Sequence, residues 1–190
     1  AVRSAEVRVR VNGEETTLPS GNYNLPVTVA GVRIDCPVTG GYNSNANGDA
    51  WGLEKDARLR LWPAGSPLME PGTFLCPVRQ AWFASHTQMG NEPCHVDASD
   101  VPSVKKVYYH YGLDFGGAEG MVDVAAATGG LVVSIAGRTL EGHEKDTPVS
   151  ARYDVIYILD DRGWYCRYSH LKSFETNIRL GERVRMGQKV

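Results

Sequence analysis

Apolar and polar residues alternate over short runs along this chain, and the runs are separated by glycine, proline and asparagine. Val7, Val9 and Val11 alternate with Arg8 and Arg10, the period of a strand that buries one face. Asn12-Gly13 follows, a pair that favours a tight hairpin of the primed type. Val27 to Val38 reads as further extended pieces, broken at Gly31 and Pro37. Ala57, Leu59 and Leu61 alternate with Arg58 and Arg60, which predicts a half-buried strand ending at Trp62-Pro63. Leu131 to Ile135 forms a strand after the Gly129-Gly130 turn, and Tyr153–Leu159 faces Trp164–His170 across Asp160-Asp161-Arg162-Gly163 as a hairpin. In its second strand Cys166, Tyr168 and His170 fall on one face by alternation. Apolar spacing of the helical kind is absent over any useful length, so the predicted class is all-β.

Two regions are expected. The stretch Asp97 to Lys106 is polar and contains Pro102, which places a boundary there. Residues 1–100 then form a β-rich accessory domain and 101–190 a second domain. Gly40 to Gly52 is too rich in Asn and Gly for regular structure. Arg138 to Arg152, with Glu141, His143, Glu144, Lys145 and Asp146, is longer than a plain hairpin needs, and such loops often edge a cleft.

With 190 residues there is enough apolar content for a substantial core. The net charge of −2, with no basic block, gives no support for nucleic-acid binding. Nor does any run approach the roughly 18 apolar residues of a membrane span. Cys36, Cys76, Cys94 and Cys166 lack the C-x-x-C spacing of a structural zinc site. Two disulfides or buried thiols both suit their even number.

The candidate chemistry sits in Val107-Tyr-Tyr-His110-Tyr-Gly112-Leu-Asp114-Phe-Gly-Gly117. The aromatic and β-branched flanks suit strands, and the glycines oppose a helix. On a straight strand His110 and Asp114 would lie roughly 13 Å apart, at about 3.3 Å per residue, too far to share a zinc with bonds of about 2 Å. The chain must therefore bend if they do, and Gly112 permits the bend. Without further signals, a hairpin end carrying a surface histidine and a turn aspartate explains the residues equally well.

Three later features change that balance: the apolar, glycine-punctuated run Val122 to Val133, then Tyr165-Cys-Arg-Tyr168-Ser-His170-Leu171, then Gly181-Glu-Arg-Val184-Arg-Met-Gly187-Gln188. In this order the series resembles the catalytic domain of lysostaphin-type zinc metallopeptidases, which cut peptide bonds in bacterial cell-wall peptidoglycan. Those enzymes use an H-x-G-x-D motif for two zinc ligands, a Y-x-H-L motif for an active-site histidine, a G-x-x-V-x-x-G-Q hairpin, and then an H-x-H pair that supplies the third ligand. By position, the resemblance implies zinc ligation by His110 and Asp114 and a catalytic role for His170. It also implies an antiparallel β-sandwich of the duplicated-hybrid-motif kind over 101–190. Secretion to the cell exterior or periplasm and a peptidoglycan peptide as substrate follow from the same resemblance. Zinc in such a site keeps a position for water, lowers its pKa toward about 7 and polarises the scissile carbonyl, with His170 as base or electrostatic stabiliser.

The resemblance covers about the last 85 residues, and it departs from the family pattern at one point: no histidine follows His170. The expectation is that a C-terminal remainder of the same protein supplies the third ligand, and that the 190 residues alone are inactive. Another chain could also complete the site, and a degenerate relative that binds cell wall or regulates a partner hydrolase needs none. Gly181 to Gln188 also resembles the last hairpin of biotinyl and lipoyl carrier domains, but the lysine presented at a tight turn is absent.

Other residues attract weaker readings. Asp35, Asp49 and the Asn-rich loop could bind calcium, but lack its regular acidic spacing. His86 and His95, near Cys94 and Asp97, have no recognisable ligand spacing. Trp51, Trp62, Trp82 and Phe83 could stack on sugars or fill a core. His143 could serve as an extra ligand or acid, but an exposed loop histidine is the preferred reading.

Overall fold

In a computed structural model, the residues described are 5–21, 24–39, 57–79, 93–96, 106–109, 112–115 and 117–190, without the side chains of 38, 93–96 and 106–109. Among them the protein is all-β, with several antiparallel sheets and no helix. The Asn12-Gly13 turn has both residues at positive φ, 47° and 89°, as a primed hairpin requires, and joins β1 (Glu6–Val11) to β2 (Glu14–Pro19). A second sheet has the order β3 (Val27–Val29), β4 (Val32–Thr39), β5 (Ala57–Pro63). Pro37 does not end β4. It falls at an irregularity in the β4–β5 register between Asp35 and Val38, where a missing N–H costs no ladder bond. β6 (Pro93–Val96) pairs with β7 (Lys106–Tyr109), and residues 97–105, where the sequence places a boundary, lie outside the described residues.

The C-terminal sheet has the order β11 (Tyr165–Tyr168), β10 (Ile156–Leu159), β8 (Gly130–Ile135), β12 (Arg183–Val184), with β9 (Arg138–Thr139) also on β8. Both of its faces are covered. Val132, Ile135, Ile156, Ile158 and Tyr168 join one core with Ala126, Ala127, Ile178, Val184 and Val190, while Val133 and Tyr157 join another with Val149 and Val155. Burial on both sides explains why β8 and β10 read as nearly continuous apolar runs rather than alternating ones. Gly130 is required by close approach: a Cβ there would lie 2.3 Å from the Leu159 carbonyl oxygen across the β8–β10 contact.

β5 differs instructively from its sequence pattern. Ala57 and Leu59 pack against the core of Leu18, Val29, Ile34 and Cys36 as the alternation predicts. The opposite stripe, read as a solvent face, is covered too. Arg58 Nη2 donates to the Thr147 carbonyl at 3.1 Å, Arg60 binds Asp35, and buried Trp62 meets Trp164 edge-on with ring centroids 5.9 Å apart. Leu61, expected inside, is 54% exposed. The stripe is the face on which the N-terminal sheet meets the C-terminal one.

The joint continues beyond β5. Arg162, in the β10–β11 hairpin, donates to the carbonyls of Pro67 and Leu68 at 2.6 and 3.0 Å. Leu75 N donates to Ala127 O, Ala125 N to Pro77 O, and Val78 bridges Val124 antiparallel. Ala125 in turn bridges Lys189, and Val190 N donates to Val124 O. Residues 75–78 thus extend a short antiparallel layer formed by 124–127 and 187–190.

Candidate functional site

His170 stands just beyond β11. The strand's alternation would carry it onto the face of Cys166 and Tyr168, both of which pack into the core. It leaves that face instead, because its backbone turns left-handed, with φ at 63°, a conformation that non-glycine residues rarely adopt. Its imidazole is consequently 80% exposed. Tyr168, by contrast, is buried, and its hydroxyl accepts a 2.7 Å hydrogen bond from Ala127 N. Burial pushes its pKa up.

Asp154 holds the turned histidine in place. Its carboxylate is only 7% exposed; Oδ2 accepts from His170 N at 3.2 Å and lies 3.4 Å from His170 Nδ1. Its backbone carbonyl accepts from Leu171 N at 3.1 Å. Arg152 closes the group, donating Nε to Oδ1 at 2.9 Å and Nη2 to Oδ2 at 2.5 Å. This guanidinium hydrogen bond, outweighing the effect of burial, lowers the Asp154 carboxyl pKa to about 2. The result is an anionic acceptor, anchored from behind by a cation, beneath an imidazole open to solvent. Carboxylates of this kind orient catalytic and metal-bound histidines by binding one ring nitrogen and presenting the other.

Sequence reading missed Asp154 and Arg152, although a signal existed. The β10–β11 ladder pairs Ile156 with Tyr168, and the same register carried two residues further sets Asp154 opposite His170.

Of the two predicted zinc ligands, His110 lies outside the described residues. Asp114 is exposed. Five residues after it, Glu119 Oε1 lies 3.6 Å from Lys172 Nζ, and a Cβ on Gly120 would touch the Lys172 side chain. The segment that follows Asp114 therefore runs beside the segment that follows His170. In donor chemistry an imidazole and a carboxylate suit zinc, yet among the described residues no group of three His, Cys, Asp or Glu side chains is placed to hold a metal.

The other candidates resolve as follows. Asp35 is buried and bound by Arg60, which removes it as a calcium ligand. Asp49, His86, Asp97, Trp51, Trp82 and Phe83 lie outside the described residues, as do the side chains of Cys94 and His95. Trp62 is a core residue. Cys76 and Cys166 are free thiols, so the four cysteines do not form two disulfides. His143 is half-buried rather than exposed, its Nδ1 3.2 Å from the Tyr165 hydroxyl. A pocket of about 310 Å3 lined by Arg79, Met121, Asp123, Val124, Gly187 and Lys189 includes none of the predicted site residues.

The chain matches no protein-family model, no curated protein and no solved structure. Among the described residues, fold and site define an all-β protein that presents a solvent-exposed histidine, His170, on a buried aspartate bound by a partly exposed arginine.

Proposed function

We propose that the protein is a zinc-dependent endopeptidase of the lysostaphin type, acting outside the cytoplasm on peptide bonds of bacterial peptidoglycan. In this reading residues 101–190 form the antiparallel peptidase sandwich and residues 1–100 an accessory region. The observation that carries it is His170, which stands in a Y-x-H-L motif and is turned out to solvent on Asp154. The ordered motifs around His110, Asp114 and Gly181–Gln188 support the same reading, as does the approach of Glu119, five residues after Asp114, to Lys172.

His110 and Asp114 would hold the zinc, and a bound zinc supplies Lewis acidity toward the scissile carbonyl and a water acidified toward neutrality. With Nδ1 facing Asp154, the Nε2 of His170 is the nitrogen available to take a proton from the attacking water and return it to the leaving amine. Asp154 stabilises the imidazolium that forms between those steps, and Arg152 keeps Asp154 ionised.

A second reading is a non-catalytic relative that binds cell wall or regulates a partner hydrolase. Hydrolytic zinc centres use three protein ligands, and among the described residues no group of three His, Cys, Asp or Glu side chains is placed to hold a metal. The two readings separate on the full-length natural polypeptide, by metal analysis and by release of new amino termini from purified peptidoglycan. The peptidase reading expects stoichiometric zinc that His110→Ala removes, and hydrolysis that His170→Gln abolishes while the zinc stays. A metal-free protein without hydrolytic activity would establish the second reading.

A further inference from the structure

The geometry points to Asp154 as the positioning residue that fixes His170 in its Nδ1–H form, so that Nε2 presents a lone pair to solvent. The assignment deepens the peptidase reading and rests on it for its catalytic meaning, but its geometry is independent of any metal.

Three observations carry it. Asp154 contacts His170 at two points, the backbone N–H at 3.2 Å and Nδ1 at 3.4 Å. One carboxylate therefore holds the left-handed backbone turn by a hydrogen bond and lies on the Nδ1 side of the ring. A neutral imidazole has one N–H and one lone pair, and an ionised carboxylate only accepts, so Asp154 favours the tautomer in which the nitrogen facing it carries the hydrogen. Arg152 is bound through two nitrogens to the same carboxylate. Bidentate pairing of this kind is directional as well as strong, and it stops the carboxylate from rotating away from the ring. The exposed position of the ring makes the aspartate the necessary element: an imidazole that is 80% exposed has little packing to choose its rotamer or its tautomer.

The strained backbone points the same way. A histidine at φ 63° lies outside the ordinary regions, and such residues persist where the surroundings over-determine them, which happens most often at functional sites. Here the surroundings are the two Asp154 contacts and the Leu171 N–H bond to the Asp154 carbonyl.

The test is a long-range 1H–15N correlation spectrum of the 15N-labelled chain, without added metal or substrate. It is recorded at about pH 8.5, about two units above the ordinary imidazole pKa of about 6.5. His170→Gln identifies the His170 signals among the five histidines. The expected wild-type pattern is a protonated Nδ1 and a bare Nε2. In Asp154→Asn the side-chain amide can donate to Nδ1, and the pattern should reverse toward Nε2–H. Arg152→Gln, which keeps the carboxylate, should retain Nδ1–H. A wild-type His170 in the Nε2–H form, or an Asp154→Asn spectrum that matches wild type, overturns the assignment. If Asp154→Asn does not fold, the wild-type pattern alone decides. A failed peptidase reading would show as absent zinc and absent hydrolysis and would leave this spectrum unchanged, so the two failures are distinguishable.

Discussion

Two aspartates in this chain are buried to the same extent and bound by arginine in the same way, yet only one of them also holds an exposed histidine. Asp35 and Asp154 have side chains 7% exposed, and each takes two hydrogen bonds from one guanidinium, Asp35 from Arg60 and Asp154 from Arg152. The difference lies in where the arginine comes from. Asp35 and Arg60 are Cα partners on adjacent strands, so the ion pair is a cross-strand rung inside the β3–β4–β5 sheet. Arg152 and Asp154 are two residues apart in the turn that leads into β10, which leaves the side of Asp154 facing β11 open to His170. A buried ion pair within one sheet is architecture. The same pair at the end of a ladder has a vacant acceptor direction, and an exposed side chain can use it.

The largest effect should come from breaking the architectural pair. Asp35→Ala leaves the Arg60 guanidinium, one-third exposed, without its carboxylate on a covered strand face. Removing one partner of a buried pair costs about 3 to 5 kcal/mol, and the partial exposure of Arg60 places this variant near about 3 kcal/mol. Asp154→Ala should cost less, because Arg152 lies nearer solvent at 40% exposure and water can replace its partner. Urea unfolding of both variants measures the difference. A larger loss at Asp154 would mean that the supposed site is the structural pair.

The next effect separates Tyr168 from His170 on the same strand end. Tyr168→Phe leaves the buried Ala127 N–H without its acceptor, which should cost about 1 to 3 kcal/mol. His170→Gln, altering an exposed ring, should fall within about 0.5 kcal/mol of wild type. Equal losses would show that the exposed histidine is a structural element after all.

These pairs also show what a sequence can and cannot reveal. The strand periods, the Asn12-Gly13 turn and the Asp160–Gly163 hairpin were all legible, because local sterics and alternation decide them. The covered side of β5 was not: Arg58 and Arg60 look like a solvent stripe, and only the approach of Thr147 and Trp164 from distant sequence turns it into a joint. His170 was legible as a candidate by its motif. Its departure from the Cys166–Tyr168 face was not, since alternation assumes extended backbone and the chain turns left-handed there. Asp154 was within reach through hairpin register, but register names opposite residues only once the pairing is fixed.

Acid should sharpen the contrast further. The Asp154 pKa is lowered to about 2, chiefly by the Arg152 hydrogen bond, from an ordinary 3.8. A depressed carboxyl stabilises the fold fully above its unfolded pKa, and that contribution fades as pH falls toward the folded value. Between about pH 4 and pH 2 wild type should therefore lose stability more steeply than Asp154→Asn, which has no proton to take up at that position. Urea midpoints at pH 5, 3 and 2 provide the measurement. Parallel curves for the two proteins would mean that the Arg152–Asp154 bond contributes nothing to stability in solution.

The smallest effect belongs to a third arginine–carboxylate pair, Arg10 with Glu15, whose side chains are 69% and 50% exposed. Arg10 and Glu15 are also Cα partners on paired strands, β1 and β2, so the geometry repeats that of Arg60 and Asp35 while the solvent differs. In water each charge is already well solvated, the attraction is screened by salt, and holding two long side chains together costs conformational freedom. Glu15→Gln should therefore change stability by about 0.5 kcal/mol or less, and what remains should shrink further as salt is added. A loss approaching that of Asp35→Ala would show that cross-strand geometry, rather than exclusion of water, sets the strength of these pairs. The distinction drawn between Asp35 and Asp154 would then have to be rebuilt on strand position alone.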